Sequence, residues 1–270
     1  MTLLFIFVFF LQTPERIYVS VNNEGSQPLR TVIITQDDSV QLSTKESGYW
    51  ISFKPIFREY DNLLNGTRAI EKIEYKTDVL STNPSNLVNL KLPPGTYHIG
   101  FSHSITDTTF STFYPLTYGN LDIVQVIVRE NDSYIGYLSE LIGLPFVIPP
   151  KLIGTQGHQT DLRLGTDCAE FAIYGVRRMG YKIPYCGPRG ILEYLERSDE
   201  LNPGTIIHYG YQVSVLYEDR GVIGTLDSED LLIHAYQDRV AIEILGTLEL
   251  AKREYKLYKW KNLKPNANKH

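Results

Sequence analysis

The chain has 270 residues, 43% of them hydrophobic, with a formal charge of -5 and an isoelectric point near 5.7. That length holds one large core or two modest ones, and the acidic balance, with no Lys/Arg block, removes the usual electrostatic basis for binding nucleic acid or an anionic membrane. Its two cysteines, Cys168 and Cys186, are too few to staple a fold of this size, so an apolar core must hold it together.

The chain opens MTLLFIFVFFLQTPE, with an unbroken apolar run from Leu3 to Leu11. The run has the length of a signal-peptide core and is too short to cross a bilayer. Residues 1–15 therefore read as an export signal, placing the protein in the periplasm or outside the cell and leaving the mature chain without a transmembrane span. No Lys or Arg precedes the run and no small-x-small cleavage site follows it, which keeps a buried first strand as the alternative.

From Arg16 to about Arg129 the sequence alternates short β-branched and aromatic runs with turn residues: RIYVSV, RTVIIT, YWISFKPI, IEKIEYK, LVNLKL, GTYHIGF, TFSTFY and DIVQVIV. This predicts an all-β domain over residues 16–130. Connectors such as Pro93-Pro94-Gly95 and Tyr118-Gly119-Asn120 supply turn chemistry. The stretch LKLPPGTYHIGF resembles the penultimate hairpin of immunoglobulin-like and prealbumin-like domains, which implies a sandwich. Asn65-Gly66-Thr67 and Asn131-Asp132-Ser133 match glycosylation sequons, relevant to a eukaryotic source.

Residues 131–165 read as a linker with one short helix. Tyr134, Tyr137, Leu138 and Leu141 have helical spacing, and Pro145, Pro149 and Pro150 favour extended backbone just before them. From residue 166 to 262 a helix precedes several strands. Asp167 caps the helix CAEFAIYGVRRMG, Glu170 stands where a capping box needs it, and Gly180 marks the far end. A second helix is predicted over ILEYLERS, then strands TIIHYG, QVSVLYED, DLLIHAYQ and VAIEIL, which together make an α+β unit.

Cys168 thus occupies the first turn of a helix, where unpaired N–H groups and the positive end of the dipole favour a thiolate. A buried structural cysteine, or one half of a disulfide with Cys186, is the other reading. His158 and Asp161 lie just ahead of the cysteine, as cleft-lining residues or as a polar loop. The acid cluster Asp227, Glu229 and Asp230 reads as a solvated turn or a clamp for a cation or substrate amine. No phosphate-binding glycine loop, zinc-binding helix or paired-cysteine motif occurs, so neither cofactor nor metal is expected.

The succession TDCAEF, IPYCGP, PGTIIHYG, QVSVLYEDRG and LLIHAYQ, from Thr166 to Ile244, resembles the NlpC family of papain-like cysteine hydrolases. The resemblance implies an immunoglobulin-like sandwich followed by a papain-like α+β domain that cleaves an amide of peptidoglycan stem peptides or another peptide substrate. Carried over, Cys168 takes the nucleophile position and His234 the polar third position, while the catalytic histidine position falls on Gln212. An amide cannot accept a thiol proton at neutral pH, so His234 would serve as base with Gln212 orienting or binding the oxyanion. His208, four residues before Gln212, is the alternative base. The rival reading is a degenerate, non-catalytic module that binds cell-wall peptides without cutting them.

Overall fold

The computed structural model describes residues 16–55, 72–81, 83–104, 109–113, 122–153, 155 and 157–261. The expected signal segment 1–15, the sequon Asn65-Gly66-Thr67 and the turn Tyr118-Gly119-Asn120 lie outside the described residues.

The β-branched runs of the first half form eight strands: β1 (Tyr18–Val21), β2 (Thr31–Thr35), β3 (Val40–Pro55), β4 (Lys72–Val79), β5 (Ser85–Leu90), β6 (Gly95–Ser102), β7 (Thr109–Phe113) and β8 (Ile123–Arg129). They make one sheet with the path β2-β8-β6-β3-β4-β7, while β1 and β5 also pair with β3. β2 runs parallel to β8 and the other pairings are antiparallel. The 16 residues of β3 serve two sets of neighbours, first β1 and β5, then β4 and β6. A register shift between Ser43 and Gly48 marks the change, as a bulge bends and twists a strand. Gly48 lies at this change, where a Cβ would stand 2.7 Å from the Ser102 carbonyl oxygen. Alternate residues turn inward and bury Ile17, Val19, Leu42, Trp50, Ile99, Phe101, Val124 and Val126 in one core.

Past β8 the chain forms α1 (Tyr134–Ser139), whose N-cap Ser133 accepts the Gly136 N–H at 3.1 Å. A two-stranded hairpin, β9 (Leu152–Ile153) and β10 (Gly157–His158), leads to α2 (Cys168–Arg178). The second large sheet consists of β11 (Leu195–Arg197), β12 (Ile206–His208), β13 (Val213–Glu218), β14 (Leu231–Tyr236), β15 (Arg239–Ile244) and β16 (Lys256–Trp260). Its order is β11-β16-β12-β13-β14-β15, antiparallel throughout. α2 covers one face, with Phe171, Ile173, Val213, Val215, Ile233 and Ala235 in a common core. The other face packs under the 3-10 turns Leu245–Thr247 and Glu249–Lys252, with Ile207, Leu216, Leu232 and Leu250 buried between. The stretch read as a linker contributes Leu138, Leu141, Leu144 and Phe146 to the α2 core.

The expected fold class is corrected by these elements. Strand makes up 42% of the structure and helix 14%, with one sheet nearly closed in the manner of a barrel, and α1 and α2 are the two α-helices among the described residues. The protein is mostly β, and the region after residue 166 is not a papain-like α+β domain. Part of the reason lies in ILEYLERS. The short run after Pro188 and Gly190 cannot nucleate a stable helix by itself, so Gly190–Tyr194 closes as a 3-10 turn and Leu195–Arg197 pairs with β16 instead. No helix among the described residues is long and apolar enough to cross a membrane.

The seam between the two sheets is ionic. Glu140, just past α1, is fully buried. Its carboxylate meets Arg163 Nη2 at 2.9 Å, Arg178 Nη2 at 3.0 Å and Arg129 Nη1 at 3.6 Å. Tyr174 Oη donates to it at 2.5 Å. Burial alone would push this carboxyl up, yet the Arg163 guanidinium, the Tyr174 hydroxyl and the Arg178 guanidinium outweigh burial and hold it below the usual carboxylate range. The Glu140 carbonyl also accepts from Thr96 Oγ1 of β6 at 2.8 Å, and Tyr217 Oη of β13 donates to Glu130 at 2.6 Å.

Glu140→Gln removes the carboxylate that Arg163 and Arg178 share, while Arg129 keeps Asp132 at 2.7 Å, and should lower the unfolding free energy at pH 7 by about 3–5 kcal/mol, the usual cost of breaking a buried ionic network. Because the folded carboxyl titrates below its unfolded counterpart, the wild-type advantage is complete above about pH 4.3 and shrinks as pH falls through the folded value. Urea unfolding of both proteins at neutral and acidic pH measures this. Equal midpoints at pH 7 would show that the seam does not depend on the ion cluster.

Candidate functional site

Asp167 caps α2 as its sequence position predicts, its Oδ1 accepting the N–H groups of Ala169 at 2.9 Å and Glu170 at 2.8 Å. Cys168 follows in the first turn, 3% exposed. Its sulfur faces backbone, including the Tyr211 carbonyl oxygen at 3.9 Å and the Val213 N–H. Burial and then the neighbouring Asp167 carboxylate push the thiol far above its ordinary range, and the N–H groups of Val213 and Ala169 offset only part of that. Asp167 is itself pushed up to about 6 by burial, despite its two backbone donors.

The structure does not bring His234 to this sulfur. Side chains alternate across a strand. On β14, Ile233 and Ala235 point into the core shared with Cys168, whereas Leu232 joins the core beneath the 3-10 turns. His234 lies on the Leu232 side, stacked on Tyr236 with centroids 5.7 Å apart, and its Nε2 stands 3.0 Å from Glu243 Oε2. Its partner is a carboxylate on β15. The Gln212 amide donates to the backbone oxygens of Ala235 at 2.9 Å and Val213 at 3.2 Å, so it ties the sheet end together.

His208 is the imidazole on the α2 side. It follows Ile206 by two residues, shares that residue's face, and pairs in register with Val213. Both ring nitrogens are occupied. Nε2 donates to the Pro188 carbonyl at 2.6 Å, and Nδ1 accepts the Gly210 N–H at 3.0 Å, which fixes one neutral tautomer. Accepting a thiol proton would cost the Gly210 bond.

His158 and Asp161 enter a polar cluster with Glu170 and with three residues whose part in it the sequence did not show: Thr160, Arg177 and Tyr185. His158 stacks on Tyr185 at 4.4 Å, with its Nδ1 3.5 Å from Glu170 Oε2. Asp161 accepts from Tyr185 Oη at 2.6 Å and Arg177 Nη2 at 3.1 Å. Glu170, read as the far side of a capping box, accepts from Thr160 Oγ1 at 3.0 Å. Burial, then the Asp167 carboxylate, push it up to about 8. The recognisable signal was a second carboxyl one helical turn after the cap, beside an apolar core.

The remaining candidates resolve into structural roles. Cys168 and Cys186 are both free thiols, which removes the disulfide reading; burial, followed by Asp167 and Glu170, pushes Cys186 up to about 11. Asp227 accepts the N–H groups of Val222 at 2.7 Å and Glu229 at 2.8 Å, and Asp230 those of Arg220 at 2.7 Å and Asp227 at 2.8 Å. These carboxylates cap their own loop. Among the described residues, no three His, Cys, Asp or Glu side chains converge as a metal-binding group.

A cavity of about 410 Å³ lies at the other end of α2, walled by Tyr134, Val176, Met179, Tyr181 and Trp260, with Asn202, Glu200, Lys259 and Lys261 among its polar lining. It adjoins Ser198, directly after β11, which ends the sheet. No protein-family model, curated protein or solved structure matches this chain.

The Glu170 carboxyl gives a test of the cluster by pH. Its folded value near 8 lies above the roughly 4.3 of an unfolded glutamate, so folding retains a proton that the unfolded chain releases. Stability should therefore fall as pH rises from about 4 to about 8. Glu170→Gln keeps an acceptor for Thr160 without ionising, so it should flatten this decline and be the more stable protein at pH 8. Thermal melts across that range decide it; parallel curves would remove Glu170 from the titration.

Proposed function

We propose that this chain is a non-catalytic peptide-binding protein and that cell-wall stem peptides are its ligand class. The observation that carries the reading is the state of Cys168. Its thiol is buried and held protonated, His234 is engaged with Glu243 on the opposite face, and both nitrogens of His208 are bonded. Thiol hydrolysis needs a thiolate and a base positioned to make it. Neither arrangement is supported here.

The cavity supports binding in its place. Aromatic walls with a few amide and charged groups suit a short peptide, and strand β11 at the sheet edge offers main-chain donors and acceptors to an added strand. The apolar run Leu3 to Leu11 supports export to the compartment where cell-wall peptides occur.

Incubation with purified stem-peptide fragments should give binding, read by Trp fluorescence or calorimetry, and no cleavage products by mass spectrometry. Cys168→Ala should bind as wild type does, and Met179→Glu, which places a charge on the cavity wall, should weaken binding by about tenfold or more, the equivalent of about 1.4 kcal/mol. Cleavage by wild type that disappears in Cys168→Ala would overturn the proposal.

A further inference from the structure

The loop from Asp219 to Asp230 joins β13 to β14 and exposes two adjacent aliphatic side chains, Val222 at 64% and Ile223 at 75%. Adjacent exposed aliphatics make a small apolar patch that a partner surface can bury. The loop is also built to hold its shape. Arg220 N–H donates to Asp230, Val222 N–H to Asp227 and Gly224 N–H to Asp219, each at 2.7 Å. Gly221 and Gly224 flank the tip with φ of +63° and +82°, values that favour glycine. A tip fixed in advance loses little freedom when it docks.

What would receive it is an apolar hollow with a basic rim, because residues 218–230 carry five carboxylates, Glu218, Asp219, Asp227, Glu229 and Asp230, against the single guanidinium of Arg220. That balance disfavours an anionic membrane surface. The cavity on this same chain has the required character: apolar walls, with Lys259 and Lys261 outnumbering Glu200 among its charged lining. At about 410 Å³ it exceeds the roughly 150 Å³ that holds a benzene-sized group. Lys259 pairs with Glu196 at 3.6 Å, a surface pair of little strength, and Lys261 donates to the Glu193 carbonyl at 2.5 Å while keeping its charge.

The two features lie at one end of the sheet. β13 runs into the loop at Glu218, while the cavity residues Asn202 to Thr205 lead into β12, whose Ile206 pairs with Val215 and whose neighbour Gly204 donates to the Leu216 carbonyl. A two-fold axis at that end can therefore satisfy both contacts at once and close the assembly. We infer that two copies of this chain form a reciprocal dimer, each inserting its Val222–Ile223 tip into the cavity of the other. The inference rests on the reading of that cavity as a peptide-binding site, with the partner's loop as the peptide.

Sedimentation velocity of the full chain, at concentrations rising to about 1 mM to cover weak contacts, should show a monomer–dimer equilibrium that weakens with added salt. Val222→Ser combined with Ile223→Ser changes only exposed positions and should leave a monomer with an unaltered circular dichroism spectrum. Met179→Glu should do the same from the cavity side. A wild type that stays monomeric throughout, or a dimer that survives the tip substitutions, overturns the inference. If the monomeric wild type still binds stem peptides, the dimer alone falls; if the dimer forms and dissolves as described while stem peptides fail to bind, the inference stands and the peptide reading falls.

Discussion

A carboxylate without water must find its charge balance inside the protein, and Glu140 finds it in three arginines that come from different parts of the chain. Arg129 ends β8, Arg163 belongs to the loop before α2, and Arg178 closes α2. The same carboxylate accepts from Tyr174 within α2. Satisfying one buried charge thus requires the first sheet, α1, the loop and α2 to meet at a point. Desolvation makes the arrangement costly to form and costlier to break.

Everything at the candidate site follows from where that point holds α2. The helix is anchored near its end by Arg178 and at its start by the Asp167 cap, so Cys168 is pressed against the backbone between Tyr211 and Val213. A helix N-terminus favours an anion by about 0.3–1 kcal/mol, rising to about 2 in favourable geometry. Burying an ionised group costs several kcal/mol. The larger effect wins, and the first-turn cysteine is a core residue.

The sequence carried the cap, the extent of α2, the strand runs of the first sheet and β12 to β15 of the second, because each has a local cause: Asp167 and Gly180 at the helix ends, β-branched runs between turn residues. It did not carry the side on which His234 lies. Leu232, Ile233, His234 and Ala235 are nearly all apolar because β14 is covered on both faces, by α2 and by the 3-10 turns around Leu245 and Leu250. Alternation marks a face only when one side meets water. β11 and β16 were missed for another reason. ILEYLERS has apolar spacing compatible with a helix turn, and its strand pairing depends on Lys256–Trp260, some sixty residues later. Glu170 and Tyr185 likewise acquire their roles only from the contacts that folding creates.

Whether this site can act as a nucleophile depends on the protonation state of a single sulfur. Ultraviolet titration of thiolate absorbance in Cys186→Ser, with the fold monitored in parallel, reads that state directly. The structure predicts that Cys168 gives no thiolate signal at neutral or mildly alkaline pH and that the signal appears only as the protein unfolds. A thiolate that forms in the folded protein below the ordinary cysteine value of about 8.5 would contradict the account and restore Cys168 as a nucleophile.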